Sequence, residues 1–551
     1  MKRSKIERAG LAGLLWIAGV AAAADFDYEV NDPETNTLTI TGYTGAGLNM
    51  VIPDAIDGLT VTAIGDDAFA RAGVTNVMIP GSVTEIGDGV FYRCEALAAI
   101  TVEPTNPAYS SADGVLFDKL ATTLLQCPGA RAGDYTVPGG VTEIGDRAFD
   151  HCLQLSNVTI AASVTAIADG AFAACSSLLA IHVDEANAAY CSMDGVLFDE
   201  AKTVLLQCPG GKPGSYAISN GVVRIGDNAF DHCYAITNIE LAGSVTQIGE
   251  RAFQSCRFAT IAIPAGVASI GAGAFAYCLN LTAFTVEDAN PLFSSANGVL
   301  FDKGQGTLLQ YPVGGPAAYA IPVGVTNIGA GAFLWCAHLA EVTIPGTVSW
   351  IGEEAFRGCT LLTDITIPDS VTWIGREAFG LCESLARVAL GGGLTSIEPE
   401  TFGGCESLVS VIIPGGVTNV GGQAFDSCVK LERVFFAGNA PADEDDVFSG
   451  ADHVTVYYLP GAAGWEAMFA DRLTALWNPE MTACFKGAGT NGFGFTVTGT
   501  TNIPVMIECR TNLLAGSWVS LQTNALVGGA LVFYMADSTH HRTCVYRIAP
   551  P

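Results

Sequence analysis

The chain has 17 cysteines, and their thiols are the first groups to consider for chemistry. Eleven of the 17 cysteines share one repeating position, three residues after a phenylalanine, namely Cys94, Cys152, Cys175, Cys233, Cys256, Cys278, Cys336, Cys359, Cys382, Cys405 and Cys428. Disulfides would be the usual interpretation in an exported protein. Here the side chains would all point into one core in parallel, which does not suit the dihedral angle of a disulfide. We therefore expect a ladder of buried, reduced thiols that act as small apolar side chains. Near the C-terminus, Cys509 with Cys544 is the expected pair.

Two histidines raise the question of a metal site. His151 and His232 each stand in an Asp-His-Cys triplet. A cysteine pointing inward beside a histidine pointing outward does not make a tetrahedral zinc site, so we expect exposed loop histidines and no metal. The sequence also has no phosphate loop, no nucleophile elbow and no acid pair in a glycosidase context. We therefore expect no cofactor and no enzymatic activity.

Three tryptophans are the candidates for ligand binding. Trp350 and Trp373 take a position that holds Glu85 and Gln247 in other repeats, and Trp335 stands just before a ladder cysteine. Large, rigid, amphipathic side chains that replace polar ones are typical of binding hot spots. The open alternative is that the tryptophans stack on one another and seal an edge of the fold. The predicted ligand-binding surface is Trp335, Trp350 and Trp373.

A repeated phrase positions all of these residues. The phrase I-G-x-x-A-F, with small variations, starts at Ile64, Ile86, Ile144, Ile167, Ile225, Ile248, Ile270, Ile328, Ile351, Ile374, Ile397 and Val420. Successive copies are 22, 23 or 58 residues apart. A fixed period in this range is the signature of a solenoid of stacked coils.

One full repeat reads LLTDITIPDSVTWIGREAFGLC, from Leu361 to Cys382. The alternating Ile365 and Ile367 predict a strand with one face in the core. Ala378, Phe379 and Cys382 have the spacing of one helical turn. We therefore predict a coil of strand, extended segment and short helix, and a β-rich α/β solenoid with coils of about 23 residues.

An acidic residue often follows the Ile-Gly pair, as at Asp66, Asp88, Asp146 and Asp227. This is where the N-cap of the predicted helix would lie, and a carboxylate there accepts a free backbone N–H. A calcium ladder is the less favoured alternative. The same position holds Ala272, Ala330 and Arg376 in other repeats, which argues against calcium.

Each 58-residue spacing contains an extra segment of its own. The three segments begin at Asn106, Asn187 and Asn290, and each has a Gly-Val-Leu-Phe-Asp run and a Leu-Leu-Gln run around a polar turn. This pattern predicts a β-hairpin. Insertions of this sort often form a binding face, and padding of the coil edge is an equal alternative.

The signature IPxxVTxIGxxAFxxC, from about Val61 to Cys428, resembles the BspA-like class of bacterial surface leucine-rich repeats. The resemblance implies a parallel-sheet solenoid and an extracellular protein, and some members of the class act as adhesins for host or matrix proteins. It implies no catalytic residues, because the class has no shared catalytic motif.

The ends of the chain differ from the repeats. Residues 1–24 combine four basic residues with an apolar run and small final residues, which predicts a secretory signal peptide. We predict a β-rich N-terminal cap over 25–60 and a solenoid with its C-terminal cap over 61–478, including a short helix at Gly464–Leu473. Residues 479–551 alternate in hydropathy between turns, which predicts a small β-sandwich-like, all-β domain.

The amino-acid composition argues against two classes of binding partner. The formal net charge is −30, and such a field repels nucleic acid and anionic lipid. After residue 24 the sequence has no apolar run long enough for a membrane helix. We expect a secreted or cell-surface protein that binds an extracellular protein or polysaccharide. The alternatives are a self-associating structural component of the cell envelope and, more distantly, an enzyme.

Overall fold

The computed structural model describes residues 25–31, 35–486, 493–510, 518–535 and 545–551. The predicted signal peptide, residues 1–24, and Cys544 lie outside these residues. The chain forms two compact units. The first ends at Arg257 and also includes Ala268–Phe275, and the second is Phe258–Val267 with Ala276–Pro551. Each unit is a β-solenoid, as the repeat predicts.

A coil contains one longer strand and one two-residue strand, and most of these strands pair in parallel with their equivalent in the next coil. The strand Asp364–Thr366 pairs with Arg387–Ala389 so that Ile365 lies opposite Val388. The longer strands of the first unit are Asn76–Ile79, Ala99–Val102, Gly133–Thr136, Leu155–Ile160, Ala180–Val183, Gly214–Ala217 and Ile236–Glu240. Those of the second unit are Thr260–Ile263, Ala283–Val286, Ala318–Ala320, Glu341–Thr343, Asp364–Thr366, Arg387–Ala389, Ser410–Ile413, Arg433–Phe436, Thr455–Tyr458 and Arg472–Leu476.

Most of the two-residue strands end at the isoleucine or valine that opens the repeated phrase. In the first unit they are Glu85–Ile86, Glu143–Ile144, Ala166–Ile167, Arg224–Ile225, Gln247–Ile248 and Ser269–Ile270. In the second they are Asn327–Ile328, Trp350–Ile351, Trp373–Ile374, Ser396–Ile397, Asn419–Val420 and Ala442–Asp443. The predicted core is confirmed in the representative repeat, where Ile365, Ile367, Val371, Ile374, Ala378, Phe379 and Cys382 are all buried.

The predicted helix after Ile-Gly is wrong. Among the described residues there is no α-helix, and this segment is a series of turns. The N–H of Phe333 donates to the oxygen of Ala355, and that of Trp335 to Arg357, both in the next coil. Trp335 has a φ of 56°, a left-handed conformation that an α-helix of L-residues does not continue through. The turns thus bond to a neighbouring coil and not along a helix.

The predicted N-cap role of the acidic column changes accordingly. Asp66 Oδ1 accepts the backbone N–H of Asp88 at 2.8 Å, and Asp227 Oδ1 accepts that of Glu250 at 2.8 Å. In both cases the donor lies in the following coil, 22 or 23 residues ahead. The carboxylates therefore tie coils together, because there is no helix for them to cap.

The three insertions contain the predicted hairpins and one further strand each. Their strands are Tyr109–Ala112, Val115–Asp118 and Thr123–Gln126 in the first, Tyr190–Met193, Val196–Asp199 and Val204–Gln207 in the second, and Phe293–Ala296, Val299–Asp302 and Thr307–Gln310 in the third. In the first insertion the three strands are antiparallel, and the last one then pairs in parallel with Glu143–Ile144 of the following coil. Each insertion therefore adds a coil of its own to the solenoid.

Both ends of the chain are β-rich. The N-terminal strands are Phe26–Val30, Thr37–Tyr43, Asn49–Val51, Ala55–Ile56 and Leu59–Ile64. The predicted helix at Gly464–Leu473 is wrong, because Met468–Phe469 forms a strand that pairs with Arg472–Leu476. The final strands are Glu480–Lys486, Phe493–Thr498, Pro504–Arg510, Val519–Ala525, Ala530–Met535 and Val545–Ala549, with a 3-10 turn at Val527–Gly529. They form two three-stranded sheets, in agreement with the predicted all-β end.

In the part of the chain that the structure describes, no helix has the length and apolarity to cross a membrane.

Candidate functional site

Two of the three candidate tryptophans lie side by side in the second unit. Trp350 and Trp373 open consecutive two-residue strands and are direct partners in the parallel register. Their rings stack with centroids 3.9 Å apart and planes 25° from parallel. The regular repeat causes this contact, because it places equivalent residues of adjacent coils one strand spacing apart.

The stacked pair is also accessible to solvent. Trp350 is 45% exposed and Trp373 is half-buried. In the other coils of the second unit this column holds polar residues on both sides of the pair, with Asn327 paired to Trp350 and with Ser396 and Asn419 in later coils. The two tryptophans therefore stack on each other, as the alternative interpretation expected. The stack still presents a flat aromatic surface among polar side chains. Such a surface can bury apolar area and offer an indole N–H to a partner.

The third tryptophan has different neighbours. Trp335 stacks on Tyr277 with ring centroids 5.0 Å apart, and its ring lies against Gly358 of the next coil. The insertion that ends at Gln310 separates Tyr277 from Trp335 along the chain. The structure thus brings Trp350 and Trp373 together and pairs Trp335 with a tyrosine that sequence reasoning did not single out.

Ion pairs join successive coils just beyond the stacked tryptophans. Arg376 Nη2 lies 2.5 Å from Glu400 Oε1, and Arg357 pairs with Glu377. The hydrogen bond from Arg376 to Glu400 raises the pKa of its guanidinium. Arg376 is exposed and Arg357 is half-buried, and each is paired with a glutamate of the following coil.

The cysteine column is buried as predicted. All eleven side chains are at most 2% exposed, and several donate to a carbonyl of the preceding coil, as Cys382 Sγ does to Phe356 O at 3.1 Å. Burial raises the pKa of Cys382 to about 12 and that of Cys94 to about 11. Cys127 and Cys208 of the insertions are buried too, and Tyr311 fills their position in the third insertion. Thiols held protonated in this way are poor nucleophiles.

We expect thiol reagents to label the eleven column cysteines only after denaturation. With a pKa of about 12, roughly one Cys382 thiol in 10,000 is ionised at pH 8, and burial blocks the reagent. Cys191, which is half-buried in an insertion, is the internal control and is expected to react first. Peptide mass spectrometry after native labelling measures the pattern. Rapid native modification of most of the column, or mass spectra that show it bridged, would contradict the prediction.

The expectation of exposed loop histidines is wrong. His151 is 7% exposed, and the side chain of His232 is 25% exposed. Nδ1 of each ring donates to the preceding aspartate, Asp150 at 2.8 Å and Asp231 at 2.7 Å. The two rings lie 6.2 Å apart, and Tyr92 packs edge-on against His151 at 5.2 Å. The histidine rings are covered because side chains from other coils, such as Tyr92, pack against them.

The described residues contain no group of three or more histidine, cysteine or acidic side chains that is arranged to hold a metal ion. The Asp-His-Cys triplets fit that finding, because each cysteine lies in the core and each histidine bonds to its own aspartate.

A cavity in the first unit was missed by sequence reasoning. It has a volume of about 190 Å³ and lies beside the first insertion, between the turns that follow Ile86 and Ile144. The available signal was the sequence Leu124–Gly129, LLQCPG, where the insertion coil has no Ala-Phe turn. Because the insertion coil lacks this turn and its two neighbours have it, an empty space remains between the neighbouring turns. The sequence of one segment does not reveal such a space.

The repeats match a known family. A family model described as the BspA type leucine rich repeat region matches in six copies, over residues 55–114, 132–192, 214–297 and 321–455, which is more than half of the chain. Among curated proteins, none matches this sequence.

Several solved structures are also similar. A leucine rich cell surface protein from Faecalibacterium prausnitzii is 26% identical over 80% of this chain and 95% of its own, with a TM-score of 0.39. A leucine-rich repeat protein from Eubacterium ventriosum is 22% identical over 71% of this chain and 90% of its own, with a TM-score of 0.35. The pneumococcal vaccine antigen PcpA is 17% identical over 67% of this chain and 99% of its own, with a TM-score of 0.39.

Proposed function

The chain belongs to the BspA-type leucine-rich repeat family, and from this premise we propose that it is a secreted or cell-surface binding protein without enzymatic activity. Its partner is an extracellular protein or polysaccharide. The predicted signal peptide, residues 1–24, exports it. The acidic composition argues against nucleic acid as the partner, because like charges repel.

The stacked pair Trp350 and Trp373 is the observation that carries this proposal. A half-exposed indole in a polar column gains most from being covered by a partner, since its apolar area then leaves water. The pair is rigid, because each ring supports the other at 3.9 Å. A rigid aromatic surface loses little conformational entropy on binding.

The first test is a ligand screen. The recombinant mature chain is used to pull down purified matrix proteins and a panel of glycans. Capture of a ligand by the wild-type chain supports the binding function. Light scattering against concentration addresses the alternative of a structural component, because a non-closing self-contact gives assemblies that grow with concentration. Growing assemblies with no captured ligand would favour that alternative.

We expect Trp350→Ala to weaken binding of a captured ligand by about thirtyfold, which corresponds to about 2 kcal/mol for an aromatic anchor. Trp373→Ala should act in the same direction, because it removes the support of the first ring. Asn419→Ala in the same column is the control and should leave affinity unchanged. Titration calorimetry and thermal melting are measured side by side. Unchanged affinity with a lowered melting temperature would assign the pair to packing alone.

A further inference from the structure

The first insertion creates a recess on the surface of the first unit. Its coil continues the solenoid, since Gly145 N donates to Leu124 O at 2.9 Å and Cys127 N donates to Ala148 O at 2.7 Å. The segment Leu124–Gly129 has no phenylalanine-bearing turn, whereas the coil before it has one at Val90-Phe91 and the coil after it has one at Ala148-Phe149. The two complete turns therefore stand on either side of a gap, and this gap is the cavity of about 190 Å³.

The lining combines an apolar floor with polar and aromatic walls. Phe91 and Leu116 contribute to the floor and are themselves buried. Asp88 and Asp146 provide carboxylates, Arg147 provides a guanidinium, and Tyr92 provides an aromatic ring. A concave site with a few convergent polar groups on an apolar base is the usual form of a small-molecule site.

Neighbouring contacts hold these walls in position. The guanidinium carbon of Arg147 lies 5.8 Å from the centre of the Tyr92 ring, and its Nε lies 3.9 Å from Asp146. The rings of His151 and Tyr92 form a T-shaped contact with centroids 5.2 Å apart, and Asp150 accepts from His151 at 2.8 Å. The aromatic ring of Tyr92 is thus supported before any ligand arrives, which lowers the entropy cost of binding.

The size of the cavity limits the occupant. At about 30 Å³ for each water molecule, 190 Å³ holds about six waters. Pockets for drug-sized ligands are larger, roughly 300–1,000 Å³. The occupant is therefore a single small ring or one side chain of a larger ligand.

Charge and hydrogen bonding select among such occupants. The carboxylates of Asp88, Asp146 and Asp150 repel an anion, and the single guanidinium of Arg147 offsets one of these three negative charges. A hydroxyl donates and accepts at once, so a ring with several hydroxyls uses carboxylate acceptors and guanidinium donors together. The apolar C–H face of such a ring suits the apolar and aromatic part of the lining, to which Phe91, Leu116 and Tyr92 contribute. We propose that this cavity binds one neutral sugar ring of hexose size, either free or at the end of a glycan.

The equivalent position beside the second insertion has different chemistry. There Ala173 replaces Tyr92, and Asn228 replaces Arg147, while Asp227 still matches Asp146. The aromatic face and the guanidinium are both lost. Beside the third insertion Ala276 replaces Tyr92, and Ala330 and Gly331 replace Asp146 and Arg147. The sugar site is therefore specific to the first insertion. It is also independent of the tryptophan pair, which lies in the other unit.

The test is saturation-transfer NMR on the full mature chain with glucose, galactose, mannose, xylose and N-acetylglucosamine. We expect saturable binding of at least one sugar, and at least tenfold weaker binding in Arg147→Gln. Arg251→Gln is the matched control. Arg251 has the same repeat position, a φ of 49° against 48° for Arg147, similar exposure and a neighbouring acid at 3.7 Å. Because Arg251 lies outside the cavity, Arg251→Gln should leave sugar binding unchanged.

Asp146→Asn is the second variant and should also weaken binding, since it turns an acceptor into a weaker one while keeping its shape. No saturable signal from any sugar overturns the proposal. Equal loss in Arg251→Gln overturns it as well, and so does tight binding of N-acetyl-lysine methylamide in place of a sugar. Loss of the sugar signal in Trp350→Ala would move the sugar to the tryptophan pair and overturn this site. If Trp350→Ala kept the sugar signal and the ligand screen captured nothing, the sugar site would stand and the proposed function would not.

Discussion

Phe379→Ala is expected to lower the free energy of unfolding by about 3–5 kcal/mol, the usual cost of a large-to-small change in a core. Phe379 is fully buried and lies in a continuous stack of repeat phenylalanines. Its ring centroid is 5.1 Å from Phe356 and 5.6 Å from Phe402, with nearly parallel planes. Removing the ring leaves a cavity that stiff neighbouring coils cannot close, and it interrupts the stack on both sides.

The measurement is urea denaturation combined with hydrogen exchange. A solenoid is held together by contacts between neighbouring coils, so the loss should concentrate in the coils on either side of the substitution. Leu361→Ala in the same coil is the matched control. Leu361 is 52% exposed, and such a change should stay within about 0.5 kcal/mol. Equal effects of the two substitutions would contradict the packing of the phenylalanine stack.

Gly375→Ala is expected to destabilise the second unit by about 1–3 kcal/mol or more, through overpacking against backbone. A Cβ at this position would lie 2.5 Å from the backbone nitrogen of Glu353 and 2.7 Å from its Cα. Backbone atoms cannot turn away as the end of a flexible side chain does. The coils would have to separate, and that would weaken the hydrogen bond from Gly375 N to Ile351 O at 2.9 Å.

Gly346→Ala is the matched control in the same unit. A Cβ there would meet no atom within 4 Å, so we expect a change within about 0.5 kcal/mol. Thermal melting and urea denaturation of both variants measure the difference. If Gly375→Ala were as stable as Gly346→Ala, the Ile-Gly glycine would not be required by close approach of coils.

Periodicity was enough to predict the core of the repeat. The residues that recur at one position, such as Phe379 and Cys382, must meet in a stack if coils of equal length are piled on one another. The same reasoning placed Trp350 beside Trp373, and the structure has them in contact. It did not place Tyr277 beside Trp335, because an insertion separates them along the chain.

The helix prediction was wrong because the spacing of the apolar residues in this segment is compatible with two structures. Ala378, Phe379 and Cys382 match one helical turn, but they match equally well a series of turns with left-handed residues such as Leu381 at a φ of 57°. Local spacing does not say whether an N–H bonds along its own segment or to a neighbouring coil. In this fold Phe379 N donates to Thr401 O at 2.9 Å, across 22 residues.

The sequence by itself determined the repeat length, the residues that face the core and the positions of the three hairpins, because each of these follows from periodicity within the chain. Only the tertiary structure decided which polar side chains are covered and where space remains. His151 is buried because Tyr92, from another coil, packs against it. The cavity beside the first insertion exists because one coil has no turn while its neighbours do. Both depend on contacts between residues far apart along the chain, which a local pattern does not contain.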